Sequence, residues 1–154
     1  MSGQAFRYEP AEDNPGWFTW NLTDETRFNA QTMGRMLTRT EEGADGVRRC
    51  RLRMFPERRH SNLLDAVHGG VTLALIDIAL FAAMRTLLEG DAAGSVTLDL
   101  SSQFIGAGRV GEPLDAVTEV LRETGRLVFL RGLVVQGDDT VAAFNGTIRK
   151  PTRR

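Results

Sequence analysis

The stretch Val71-Thr72-Leu73-Ala74-Leu75-Ile76-Asp77-Ile78-Ala79-Leu80-Phe81-Ala82-Ala83-Met84 decides the fold. Only Thr72 and Asp77 are polar in these fourteen residues, and the abundance of Ala, Leu, Ile and Met favours helix. Apolar residues fall on every side of the helical wheel, so the helix is expected to be buried all round. It is shorter than the ~20 residues of a membrane span and carries a central carboxylate. Something within a water-soluble fold should therefore enclose it.

The enclosing elements are legible on both sides. Downstream, Ser95–Phe104, Leu114–Glu123, Leu127–Gln136 and Thr140–Ile148 read as strands. They are separated by Gly106-Ala107-Gly108 with Gly111 and Pro113, by Thr124-Gly125-Arg126 and by Gly137-Asp138-Asp139. The last two connections have hairpin length, which makes their strands antiparallel neighbours. Upstream, Arg35–Glu41 and Val47–Met54 flank the turn-prone Gly43-Ala44-Asp45-Gly46. Along the second run Arg49, Arg51 and Arg53 alternate with Cys50, Leu52 and Met54, and the arginine row is expected to face water. Asp24 to Met33 suggests a short helix capped by Thr23 or Asp24. Two strands, a buried helix and four strands make an α+β fold, one antiparallel sheet curled around a central apolar helix.

Ahead of this domain (23–150), residues 1–22 read as an irregular extension, and residues 151–154 follow it as a tail. Pro10 and Pro15 exclude helix from the first twenty residues, and Trp17, Phe18 and Trp20 are expected to anchor them by packing. At 154 residues, with 19 Lys+Arg against 20 Asp+Glu and a net charge of −1, the chain reads as one domain. The charge balance argues against a dedicated nucleic-acid binder, though not against a local basic patch. Cys50 is the sole cysteine, so neither an internal disulfide nor a cysteine metal cluster can form. His60 and His68 alone are too few for most histidine metal sites, and no metal or cofactor is expected. The polar N-terminal stretch has no secretory pattern, which makes the cytoplasm the default location.

Chemistry concentrates where the helix begins, at Val67-His68-Gly69-Gly70. Open N–H groups at a helix start suit an oxyanion or a polarised carbonyl, and glycine admits a ligand close to the backbone. Asp77 follows eight residues after Gly69, about 12 Å along the helix at 1.5 Å per residue. One chain's Gly69 and Asp77 cannot act on one atom, but two antiparallel helices in a symmetric dimer could pair them. Two readings of Asp77 stay open: a buried carboxylate satisfied by backbone or arginine, or a base or nucleophile among apolar neighbours. His68, beside two glycines, could equally hold the turn by hydrogen bonds.

The segment Asn62-Leu63-Leu64-Asp65-Ala66-Val67-His68-Gly69-Gly70, with Asp77 following, resembles the signature of the PaaI-like acyl-CoA thioesterases of the hotdog fold. The similarity extends over about residues 24–150. It implies Asp77 as the nucleophile or general base, the Gly69 amide as the oxyanion donor, Asn62 as an aid in placing thioester or water, and Thr97 as the residue positioning the lytic water. It implies His68 and Gly70 at the substrate and no cofactor. It also implies that Asn62 and Gly69 come from one subunit and Asp77 and Thr97 from the other, in a homodimer or a dimer of dimers. Asp65 departs from the pattern, since many relatives have glycine there; a loop aspartate is expected to face solvent. The 105–109 loop lacks a frequent Arg-Pro, and Arg109 and Arg126 are the candidates for the phosphates of coenzyme A. The resulting expectation is a hydrolase of acyl-CoA, with a non-catalytic acyl-CoA-binding or sensing module on the same fold as the alternative. A hotdog hydratase would want a histidine beyond His68, and none exists.

Overall fold

The computed structural model describes residues 5–90 and 92–152. Residues 1–4 of the extension, Asp91 of the 89–94 loop and residues 153–154 of the tail lie outside it. In chain order come β1 (Phe6–Arg7), β2 (Phe18–Thr19), β3 (Asn21–Leu22), a π-helical turn (Asn29–Met33), β4 (Met36–Glu42) and β5 (Arg48–Met54). A 3-10 turn (Arg58–His60), α1 (Gly69–Leu87), β6 (Val96–Phe104), β7 (Leu114–Glu123), β8 (Leu127–Gln136) and β9 (Asp139–Arg149) complete it. Seven strands form one antiparallel sheet in the order β2-β4-β5-β7-β8-β9-β6, curled around α1. This is the hotdog arrangement expected from the strand order.

Periodicity explains the core. Cys50, Leu52 and Met54 point inward from β5, beside Ala116 and Leu114 of β7, and α1 packs chiefly on those two strands. Leu75, Ile76, Ala79, Leu80, Ala82 and Ala83 of α1 are fully buried there. Helix and sheet approach closely at Gly146, where a Cβ would lie 2.5 Å from Leu80 Cδ1 and push that side chain aside. By length and composition α1 could cross a membrane, but here it is the core helix of the sheet.

Four expectations need correction. Asp24 does not cap a helix running to Met33. Its carboxylate accepts from Thr26 N–H (3.0 Å), Thr26 Oγ1 (2.6 Å) and Arg27 Nε (2.9 Å), a turn that delays the helical segment to Asn29–Met33. The extension is not irregular, because β2 pairs with the edge of β4 while β1 and β3 form a ribbon. Its aromatics anchor it as expected: Trp17 and Trp20 are buried, and the Arg85 guanidinium lies 5.6–5.8 Å from the centroids of Phe6, Tyr8 and Trp20.

Nor does the arginine row simply face water. β7 sets carboxylates in register beside it, so Arg53 and Arg51 bond Asp115 (2.7 and 3.0 Å), while Arg49 and Arg131 bond Glu119 (2.8 and 2.7 Å). The guanidinium groups of Arg39 (4.4 Å) and Arg53 (4.5 Å) both lie over the Trp17 ring.

Finally, α1 is not enclosed all round by its own chain. Leu73 is exposed, and Ala74, Asp77 and Phe81 are only half-buried. With Gly70 these residues recur at the three- and four-residue spacing of one helical strip. That strip meets solvent on the side where β6 ends the sheet.

Candidate active site

The start of α1 is assembled from the loop before it. Asn62 N–H donates to Ala66 O (2.8 Å), while the Asn62 side-chain oxygen accepts from Leu64 N–H (2.9 Å) and Ala66 N–H (3.2 Å). This closes a small loop whose tip residues Leu63 and Leu64 are exposed. Asp65 has φ +58°, a left-handed conformation that glycine adopts most easily and aspartate tolerates better than most. The departure from the family pattern is therefore a substitution at a strained position, and Asp65 is exposed as expected.

His68 is the N-cap of α1. Its ring Nδ1 accepts from Gly70 N–H (2.8 Å), and its carbonyl accepts from Val71 N–H (2.9 Å) and Thr72 N–H (3.2 Å). Among the described residues, Gly69 N–H is the one first-turn amide left without a partner. The helix start thus presents a single open donor rather than a diffuse positive end. A Cβ at Gly70 would lie 3.1 Å from His68 Nδ1, a tight contact that glycine spares the cap. The Phe104 ring covers Gly69 from the β6 side, 3.5 Å from where a Cβ would be.

Two turns along α1, on the open strip, Asp77 Oδ1 accepts from Thr97 Oγ1 at 2.7 Å. The hydroxyl fixes one carboxylate oxygen and leaves the other without a side-chain partner among the described residues. Thr97 lies on β6, whose outer edge is unpaired. The structure therefore brings the predicted residues together as two groups. Asn62, His68, Gly69 and Gly70 form one, and Asp77 and Thr97 form the other. Within one chain the two are separated by the length of two helical turns.

The two candidate arginines differ. Arg109 is bound to Glu112 (2.8 Å) and Asp139 (2.8 Å), and these carboxylates raise its pKa further, Glu112 most. Its backbone is tied to buried Gln136, which accepts from Arg109 N–H (2.7 Å) and donates to Arg109 O (2.8 Å). A phosphate would have to compete with two carboxylates for this guanidinium. Arg126 sits in the exposed β7–β8 turn, with no side-chain partner among the described residues. Sequence reasoning did not single out Phe104 for the site. Its place on β6 was legible, but its contact with Gly69 depends on how strand and helix meet.

Comparisons with known proteins identify the family and the fold in which this geometry sits. The family model described as Thioesterase superfamily matches residues 64–143. The Pseudomonas aeruginosa protein PA0474, whose name carries an esterase assignment, is 30% identical over 95 residues, 62% of this chain and 70% of that one. Mouse acyl-coenzyme A thioesterase 13 is 32% identical over 77 residues, 49% of this chain and 53% of that one. Among solved structures, the Escherichia coli PaaI protein of the phenylacetic acid degradation operon superposes with TM-score 0.67 at 21% identity, covering 83% of this chain and 87% of that one. The Bacillus halodurans protein BH2602, solved with CoA, gives TM-score 0.59 at 26% identity over 75% of this chain and 74% of that one. A sheet wrapped on a capped apolar helix and a family match over half the chain lead to one assignment: the chain belongs to the thioesterase superfamily, as a thioester hydrolase of the hotdog fold.

Proposed function

We propose that the protein hydrolyses the thioester of an acyl-coenzyme A, in a site completed by a second copy of the chain. The observation that carries this is the open Gly69 N–H at one end of α1 with the Asp77–Thr97 pair two turns away. An antiparallel second α1 brings one chain's Gly69 opposite the other's Asp77. Self-pairing of the two β6 edges about a twofold axis gives that arrangement. Val96, Leu98, Phe104 and Ile105 on this side are exposed, as is Leu73 of the open strip. An apolar, unpaired edge of this kind favours a partner over water.

In the site so formed, the Gly69 amide polarises the thioester carbonyl and then holds the oxyanion. Asp77 accepts a proton from water as that water adds to the carbonyl carbon, or adds itself to form an anhydride that water then opens. Collapse of the tetrahedral intermediate breaks the C–S bond; the departing thiolate takes the proton held by Asp77 on the general-base route, or the one released when water opens the anhydride on the other, leaving free acid and CoA thiol in both. Thr97 orients the carboxylate. The Asn62 amide nitrogen, without a partner among the described residues, is available to donate to the thioester or to the water. Arg126, which has no carboxylate partner among the described residues, is the freer of the two arginines to meet the phosphates of CoA.

A panel of acyl-CoAs with a free-thiol reagent tests the reading. Thiol release that disappears in Asp77→Ala supports it. Tight binding of acyl-CoA with no thiol release would replace the hydrolase with a binding module.

A further inference from the structure

His60 is buried at 2% exposure, and the catalytic scheme makes no use of it. Both ring nitrogens are committed. Nδ1 faces Glu57 N–H at 2.9 Å and can only accept there. Nε2 faces the Thr32 carbonyl at 2.6 Å and can only donate. The geometry therefore requires a neutral ring with its proton on Nε2. Thr32 belongs to the π-helical turn, whose last carbonyls are also held by Arg59, Nη1 donating to Gln31 O (2.7 Å) and Thr32 O (3.2 Å). The ring thus spans the 3-10 turn and the segment leading into β4.

The backbone of the same residue reaches the site. His60 O accepts from His68 N–H at 2.8 Å, and His68 is the cap immediately before Gly69. The isolated bridge between Ser61 and Val67 continues this pairing toward the loop. The carbonyl that fixes the cap therefore sits on a residue whose side chain is fastened at both ends. We propose that His60 is a positioning residue for the Gly69 amide. Its two ring bonds set where the helix start, and hence the open donor, lies relative to the rest of the domain. As an effect on turnover this rests on the thioesterase reading; as a statement about the helix start it does not.

The variants separate the two bonds. His60→Asn places an oxygen where Nδ1 accepts and abandons Thr32, whereas His60→Gln places an amide N–H where Nε2 donates and abandons Glu57. His60→Ala loses both. Each single-bond variant should lower kcat for acyl-CoA about tenfold with KM within about twofold, and His60→Ala should lower it further, because displacement of a donor is felt in the transition state. Val134→Ala, a truncation of a buried β8 residue paired with β7 and β9 and not with the 3-10 turn or His68, should lose stability while keeping kcat per folded molecule. Amide NMR of the same proteins should show the Gly69 and Gly70 signals moved in the His60 variants and unmoved in Val134→Ala. Unchanged kcat and unmoved Gly69 and Gly70 signals in the His60 variants would overturn the proposal, as would equal effects from Val134→Ala. If the wild-type protein hydrolyses nothing, the amide signals decide alone. If the variants do not fold, the ring nitrogen shifts of wild-type His60 decide, and a proton found on Nδ1 would contradict the assigned geometry.

Discussion

Thr97 Oγ1 donates to Asp77 Oδ1 at 2.7 Å, and this one bond ties the open strip of α1 to the unpaired edge strand β6. It holds the carboxylate in one rotamer at the surface where a second chain is proposed to meet it. Thr97→Val, nearly the same shape without the hydroxyl, should therefore fold and lose kcat by about tenfold or more, the scale of a mispositioned catalytic group. Thr97→Ser should keep most of the activity. Steady-state rates normalised to folded protein check both, and equal activity of the Val and Ser variants would remove Thr97 from the mechanism.

Gly69 offers a cleaner separation of backbone and side chain. A proline at the first helical position needs no N–H from its own residue, and its neighbour must be extended. His68 already has φ −61° and ψ 136°, which satisfies that demand. Gly69→Pro should fold while deleting the one open amide, lowering kcat by about 10²–10³ as loss of an oxyanion donor does. Gly69→Ala keeps the amide, and its Cβ meets Phe104 at an ordinary 3.5 Å, so it should fold and retain more activity than Gly69→Pro. Thermal melts and kcat for the pair provide the check.

The strain at Asp65 can be read as stability. Because φ is +58°, Asp65→Gly should raise stability by about 0.5–1 kcal/mol, net of the greater entropy of glycine in the unfolded chain. Urea denaturation measures it. A loss of similar size would mean that contacts of the aspartate outweigh its backbone conformation.

The arginine row makes a prediction in acid. Arg49 holds the Asp45 carboxyl down from 3.8 to about 2, chiefly through its hydrogen bonds. A lowered carboxylate pKa contributes stability that is fully present above the unfolded value and lost as pH falls through the folded one. For Asp45 the window runs from about 4 down to about 2, and Glu41, also held low, chiefly by its hydrogen bonds with Arg51, behaves in the same sense. Carboxyl NMR should place the Asp45 midpoint near 2 in the wild type, moving back toward 3.8 in Arg49→Met.

What the sequence disclosed follows the range of the interactions involved. The four strands after α1 were legible because their alternation and hairpin turns are local, and Leu114–Glu123 and Leu127–Gln136 match their observed bounds. Asn62 and Thr97 became candidates only through the resemblance, whereas Gly69 and Asp77 stood out in the sequence itself, with the distance along α1 already arguing for two chains. The pairing of β2 with β4 was not, because two residues of strand carry no period and take their place from the edge they meet. The ion pair of Arg109 with Asp139 was missed for the same reason, its partners lying 30 residues apart. His60 gave no pattern either, since a lone histidine in a turn acquires meaning only when Thr32 and His68 are seen on either side of it.

Subunit mixing separates a site drawn from two chains from one built within a single chain. Asp77→Ala and Gly69→Pro should each be nearly inactive alone. Unfolded and refolded together at equal amounts, they should form mixed dimers in which one site has both defects and the other has neither. Random pairing restores about a quarter of wild-type activity, half the dimers carrying one intact site of two. A mixture no more active than its parents, with subunit exchange shown by differential labelling, would contradict the shared site.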